Sequence, residues 1–292
     1  MTSAHTLQAV MQLAINFSPQ AAQLLADGKI RVDRFKCPDW PDMIEEARAL
    51  LPVYVHFPLD AGAVSGRTVD FDAVDRMSRD TDTPFVNYHL VAYSRDFPDV
   101  SPDALDAGVT ATVLDRMIVE VSRAVDRFGA DRVIVENIPY YAPGGKYMPA
   151  SVDPAVIRQV VDATGCGFLL DVSHARIAAH YLGVEPHAYI KQLPVAHLRE
   201  LHLTGVEMIN GKLLDHMGLG DEDLAWTRWA IDKIAAGEWG RPSIVAFEYG
   251  GVGEPFKWRS EAGVIERDVN RLNEMLRGMT NDVRKARMSK PE

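Results

Sequence analysis

Along this chain short apolar runs alternate with longer amphipathic ones. Eight of the short runs read as buried strands: "MQLAINF", "RFKCP", "PVYVHFP", "PFVNYHL", "RVIVENI", "GFLLDV", "LRELHLTG" and "SIVAFEYGG". Between them lie helical patterns: "SPQAAQLLADG", with Ser18 as N-cap and Gly28 as stop, "DWPDMIEEARALL", "DFDAVDRMSRD", "SPDALDAGVTATVLDRMIVEVSRAVDRFG", "VDPAVIRQVVDATG", "EPHAYIKQLP", "DEDLAWTRWAIDKIAAG" and a long run from Glu261. Strand alternating with helix calls for a parallel sheet covered by helices. Eight such units in 292 residues are the number at which the sheet closes, so the pattern predicts an α/β fold, a single (β/α)8 TIM barrel. An open doubly wound sheet is the competitor, but no glycine-rich phosphate loop follows an early strand. The expected domain is the whole chain, 1–292, with the barrel over about 11–275 and a C-terminal helix and basic tail over 276–292. The stretch from Tyr141 to Ser151 is long enough for a loop over the barrel mouth.

In a TIM barrel the working groups stand at the C-terminal ends of the strands. Here those ends are His56, His89, Glu136, Asp171, His202 and Glu248, with His174 one helical step past Asp171 and the pair Asp215, His216 after the seventh strand. Strands buried on both faces are otherwise Val, Ile and Leu, and unpartnered buried acids and imidazoles are costly. One cause covers all these positions: divalent metal, which replaces the lost hydration and lets several acids stay ionised together. From His56 to His89, Glu136, Asp171 and His202 the steps are 33, 47, 35 and 31 residues, roughly one barrel unit each. Asp171 and His174 share a face of a starting helix, so both reach the same basin. Nine such groups exceed the roughly four to six donors that saturate one ion, which implies two or three metals. Glu136 and Glu248 are the natural bridges between ions about 3.5–4 Å apart. Asn137 is a further candidate, as a group that orients a ligand or a bound water.

Charge and the remaining residues narrow the field. With 31 basic against 41 acidic residues the net charge is −10, which disfavours nucleic acid as a partner. The one basic run, Arg284 to Lys290, reads as a solvated tail. There is no membrane-length apolar window and no secretory signal pattern, and a cytoplasmic protein is expected. Cys37 and Cys166, 129 residues apart, suggest neither a disulfide nor a thiolate zinc site. His5, His180, His187 and His197 read as surface or packing residues. "YGGVGEP" after the eighth strand could cradle a phosphate, though close approach to a crowded basin explains its glycines as well.

The order His, His, Glu, Asp-x-x-His, His, Asp/His, Glu on a barrel resembles the xylose-isomerase-like superfamily. Within it, "VIVENIPYY", Thr164 to Gly205, "LLDHMGLGDEDLAW" and "FEYGGVGEPFKWRS" resemble the multinuclear non-heme iron-dependent oxidative enzymes, the methanobactin oxidase-like and 3-thiaglutamate pathway enzyme-like family. The likeness spans about Met11 to Arg271. It implies a mixed-valent centre of two or three irons, dioxygen as co-substrate, and oxidation of a residue, usually cysteine, in a ribosomally made precursor peptide presented by a leader-binding partner protein. It also implies a division of ligands: His56, His89 and Glu136 on one iron; Glu136, Asp171, His202 and Glu248 on a second; His174 with Asp215 or His216 on a third. The catalytic groups would be Glu136, Asp171, His202 and Asn137. The superfamily's usual Asp-x-His is here an adjacent Asp215–His216, which leaves open which of the two is the ligand. Two other activities use the same basin: a metal-dependent sugar isomerase or epimerase, which needs one ion and no oxygen, and an endonuclease IV-like trinuclear-zinc phosphodiesterase, which needs a basic groove.

Overall fold

All eight apolar runs are strands of one parallel sheet. In the computed structural model, residues 11–64, 69–141, 144–251 and 259–288 are described, the last ten by their helical backbone alone. In chain order the strands are β1 (Gln12–Asn16), β2 (Arg34–Cys37), β3 (Val53–Val55), β4 (Asp60–Ala61), β5 (Val86–Leu90), β6 (Val133–Glu136), β7 (Gly167–Asp171) and β8 (Leu198–Leu203), then β9 (Gly205–Ile209) and β10 (Lys212–Met217), and finally β11 (Ile244–Phe247). The barrel order is β3-β2-β1-β11-β8-β7-β6-β5-β4. Because β3 and β4 are consecutive in the chain, the two ends of that order meet, and the sheet closes as a TIM barrel.

The seam runs through the third unit, which the pattern predicts as one strand and the structure divides. Its first half pairs with β2 and its second with β5. In the gap, Asn87 takes over the ladder: its Oδ1 accepts from Phe57 N at 2.7 Å and its Nδ2 donates to Phe57 O at 3.0 Å. One side chain thus satisfies both backbone groups that the interrupted strand would leave bare inside the protein. Just beyond, Gly62 sits at φ +99°, and a Cβ there would come within 2.9 Å of Val91 O.

Helices cover the outside: α1 (Pro19–Ala26), α2 (Pro41–Arg48), α3 (Phe71–Asp80), α4 (Ala107–Phe128), α5 (Pro154–Thr164), α6 (Val172–Leu182), α7 (Pro186–Ile190), α8 (Asp221–Ala235) and α9 (Ala262–Met288). Helix α1 starts as predicted, with Ser18 Oγ accepting from Ala21 N at 3.1 Å. Helix α4 starts later than its pattern, because Asp106 caps Gly108 and Val109 and leaves Ser101–Leu105 outside. The large core lies between sheet and helices, and includes Phe35, Cys37, Phe168, Leu170 and Phe247. Inside the barrel a second, small core of Ala14, Tyr54, Ile244 and Ala246 fills the floor. Strand alternation places Lys36, His56, His89, Glu136, Asp171, His202 and Glu248 above it.

One element was not expected. Strands β9 and β10 form an antiparallel hairpin, turned by Asn210 (φ +51°) and Gly211 (φ +78°), so Asp215 and His216 lie on a strand rather than in a loop. Asn-Gly is the signature of such a turn. The pairing slips between Leu214 and Met217, and His216 sits in this bulge at φ +59°. Of the tail Arg284–Lys290 the side chains are not described, and Ser289 and Lys290 lie outside the described residues, as do His5 and Val252–Pro255 of "YGGVGEP". Among the described residues no helix is long and apolar enough to cross a membrane.

Replacing Asn87 with Ala strips the seam of both hydrogen bonds to Phe57. A loss of about 2–3 kcal/mol in urea unfolding is the expected cost of two buried backbone groups without partners.

Candidate metal centre

Glu136 stands at the middle of the basin, on the end of β6 and 1% exposed. Its Oε2 lies 3.3 Å from His56 Nε2 and 3.4 Å from His89 Nε2, and these two nitrogens are 3.2 Å apart. Its Oε1 faces the other way, 3.5 Å from His174 Nδ1 and 3.8 Å from His202 Nδ1. The two oxygens of one carboxylate therefore address two separate sets of donors. Three groups of donor atoms each lie within 4.8 Å of one another: His56, His89 and Glu136; Glu136, Asp171 and His202; and His56, Glu200 and His202.

Local structure explains how each donor is aimed. Asp171 ends β7 and caps α6: its Oδ1 accepts from His174 N at 2.8 Å, while its Oδ2 is buried without a hydrogen-bond partner. The cap puts His174 one turn along, with its Nδ1–H donating to Asn137 O at 2.9 Å. Its Nε2 is left 3.2 Å from Asp215 Oδ2 and 3.5 Å from Asp171 Oδ2. His202 donates Nε2–H to Glu200 Oε1 at 2.8 Å, and Glu200 also accepts from Tyr54 OH at 2.9 Å. This fixes the tautomer and leaves the Nδ1 lone pair directed at Glu248 Oε1, 3.1 Å away.

The basin fits a metal on grounds internal to the structure. Glu136 Oε2, Asp171 Oδ2 and His202 Nδ1 are all buried and all without a hydrogen-bond partner. Each is a buried acceptor that receives no hydrogen bond, an arrangement that is costly and that a bound cation would relieve. His56 and His202 are held well below the ordinary imidazole range, first by burial and then by the Lys36 ammonium. They are therefore neutral, as ligands must be. His174 moves the other way, to about 10: burial opposes its charge, but Asp171, Asp215 and Glu136 together outweigh it. Asp215 lies well below the usual carboxylate range, because the His174 hydrogen bond and the His216 charge overcome its burial. His216 falls to about 4, mainly through burial.

The nine candidate ligands and Asn137 all stand at this end of the barrel. Asn137 is spent on backbone, its Nδ2 donating to Asp171 O at 2.9 Å and its Oδ1 accepting from Asp171 N at 3.0 Å. Those bonds hold the end of β7, and the Asn137 main-chain carbonyl holds His174. Glu248, expected as a second bridge, spans His202 and Lys36, whose Nζ is in direct ionic contact with Glu248 Oε1. His216 turns its Nδ1–H to Glu248 O at 2.8 Å, which leaves its Nε2 lone pair outside that bond. Lys36, Glu200, Tyr54 and Asn87 were missed. Lys36 and Glu200 carry the signal of a charge at an inward position of a buried strand. His180 and His197 are exposed, and His187 stacks on Trp226 at 4.0 Å between ring centroids.

A cavity of about 200 Å³ leads to the basin beside β2, where His56, His216 and Lys36 meet a wall of Phe17, Pro38 and Trp40. Cys37 lines it too, but burial pushes its thiol up to about 12, and that of Cys166 to about 11.

Residues 37–229 match the profile of the family described as RiPP precursor modification enzyme MbnB/TglH/ChrH. The chain belongs to this family. Relatives of the MbnB/TglH/ChrH chain include the UPF0276 protein of Caulobacter vibrioides (strain NA1000 / CB15N), 29% identical over 207 residues, which cover 69% of this chain and 72% of that one. The UPF0276 protein of Caulobacter sp. (strain K31) is 31% identical over 168 residues, 56% and 58% of the two chains. Among solved structures, L-ribulose 3-epimerase superposes with a TM-score of 0.57 at 14% identity, covering 97% of this chain and 100% of its own. A D-tagatose 3-epimerase-like protein gives 0.55 at 14%, covering 94% and 99%. At that identity the likeness is one of fold, the xylose-isomerase-like barrel.

Two outcomes test the centre. In the metal-free protein burial raises Asp171 to about 6, so below that pH a proton occupies the carboxylate a metal needs. Metal affinity should be full above about pH 7 and fall about tenfold per unit below 6, read by equilibrium dialysis. Asp171→Asn keeps the cap oxygen and loses the charge; it should fold with little change in Tm and bind less metal than the parent.

Proposed function

We propose that this chain is an iron-dependent oxidase that uses dioxygen to modify a residue, a cysteine, of a ribosomally synthesised precursor peptide. Membership of the RiPP-modification family supports a peptide substrate. The observation that carries the metal chemistry is Glu136, whose two oxygens face two different sets of donors, as a carboxylate shared by neighbouring ions must. A centre for one ion, enough for an isomerase, has no use for that arrangement.

His56, His89 and Glu136 would hold one iron; Glu136, Asp171 and His202 would hold a second, with Glu248 at its edge. The set of imidazoles and carboxylates without thiolate accepts iron and leaves coordination positions for reactants. Bound iron supplies electron transfer between the substrate thiol and dioxygen. The thiol belongs to the peptide, since Cys37 and Cys166 are buried and far from ionising.

The chain's own residues prepare the site. Glu200 and Tyr54 lock His202, Asn137 holds both Asp171 and His174, and Asn87 braces His56 at 3.2 Å. The cavity walled by Phe17, Pro38 and Trp40 gives a peptide side chain a water-poor approach past His56. A leader-binding partner would present the peptide, in the cytoplasm.

The test is elemental analysis of protein purified without oxygen, with Mössbauer spectroscopy. Two or three irons per chain in a coupled, mixed-valent state support the reading; zinc or manganese alone, with no activity regained on adding iron, overturns it. His202→Ala and Glu136→Ala should each lose most of the bound metal as well as turnover, while His180→Ala leaves both unchanged.

A further inference from the structure

The barrel mouth is divided between two tasks. Strands β5, β6, β7 and β8 carry His89, Glu136, Asp171 and His202, whereas β1 and β2 end at Asn16 and Cys37 and supply none of the proposed ligands. Beside these two strand ends lies the cavity of about 200 Å³. It borders the centre directly, because His56, from the first ligand set, is part of its lining.

Its other walls are apolar and firmly held. Phe17 is 2% exposed and packs edge-on against Phe35, with 5.2 Å between ring centroids. Trp40 and Met43, three residues apart at the start of α2, share a face and both line the cavity. Gly250 and Gly251 add a stretch of wall with no side chain to fill the space, and Asn16 Nδ2 holds that stretch by donating to Gly250 O at 3.1 Å. At the rim, Trp40 is 52% exposed. Covering that indole with an apolar group removes it from water, which favours an apolar occupant.

Size and chemistry narrow that occupant further. An apolar cavity of roughly 150 Å³ accepts a benzene ring. A cysteine side chain needs far less, so a thiol that reaches the ions leaves this space unfilled, and a bulkier neighbour in the same peptide can occupy it. Among the described residues, Lys36 is the one lining cation other than histidine, and its Nζ is already in contact with Glu248 Oε1. An acidic side chain would therefore be desolvated there without a partner of its own.

We propose that this cavity is the specificity pocket for the precursor peptide: it takes an apolar side chain, the size of phenylalanine or leucine, from a residue flanking the modified cysteine. Trp40 is the specificity-determining residue, the outer wall against which that side chain packs. The inference rests on the peptide-modifying reading of the site.

The experiment is a fluorine NMR titration of the full chain, purified without oxygen and with its metal in place. The probes are N-acetyl-cysteinyl-para-fluorophenylalanine amide and the dipeptide of reversed order. At least one should bind; the leucine dipeptide of the same order should displace it, and the aspartate dipeptide should require about tenfold more or fail to do so. Trp40→Ala should weaken binding about tenfold, and Trp40→Phe, which keeps an apolar ring, should stay within about threefold of the parent. The indole is half exposed, so both variants should keep the parent's near-ultraviolet circular dichroism apart from the lost indole bands. Unchanged binding in Trp40→Ala, displacement by the aspartate dipeptide as readily as by the leucine one, or no binding of either probe overturns the proposal, whatever metal the protein holds. The expected binding pattern in protein that carries zinc or manganese alone supports the pocket and removes the oxidase reading instead.

Discussion

Buried acceptors that receive no hydrogen bond set the terms for everything else in this protein. Glu136 Oε2, Asp171 Oδ2 and His202 Nδ1 are each buried and receive no hydrogen bond. Such a cluster is tolerable only if cations enter it and if its walls cannot relax outward. The barrel supplies the walls, since Glu136, Asp171 and His202 each end a strand hydrogen-bonded to neighbours on both sides. Small side chains beneath, Ala14 and Ala246, leave the floor low enough for the large polar groups above it.

Support comes from polar residues outside the two proposed ligand sets. Glu200 sits one inward position below His202 and selects its tautomer; Asn137 ties β6 to β7 and carries His174; Asn87 repairs the seam and steadies His56. In each case one polar side chain satisfies a structural demand and orients a donor. A change at any of them would be felt both in stability and in metal binding.

Much of this was legible in the amino-acid order. The eight apolar runs, the barrel they imply and the six strand ends with metal-competent groups are where the pattern places them, because buried strands admit few polar residues and those few stand out. Lys36 and Glu200 escaped notice for a physical reason: attention to strand termini passes over inward positions lower down, and "RFKC" looks like an ordinary amphipathic edge. The hairpin was hidden differently. Its Asn210–Gly211 turn was readable, but a second antiparallel element interrupts the expected alternation of strand and helix. Only spatial packing shows that its bulge returns Asp215 and His216 to the basin.

The base of that hairpin is pinched. Gly205 and Gly218 lie so close that a Cβ on Gly205 would collide with the Gly218 carbonyl, and Thr204 Oγ1 donates to the oxygens of both Met217 and Glu248. The excursion therefore leaves the barrel and rejoins it at nearly the same point. Chain inserted or removed beyond the pinch does not have to move the strands on either side. The tip of the hairpin, where Met208 is 54% exposed, can therefore change in length without moving the barrel strands.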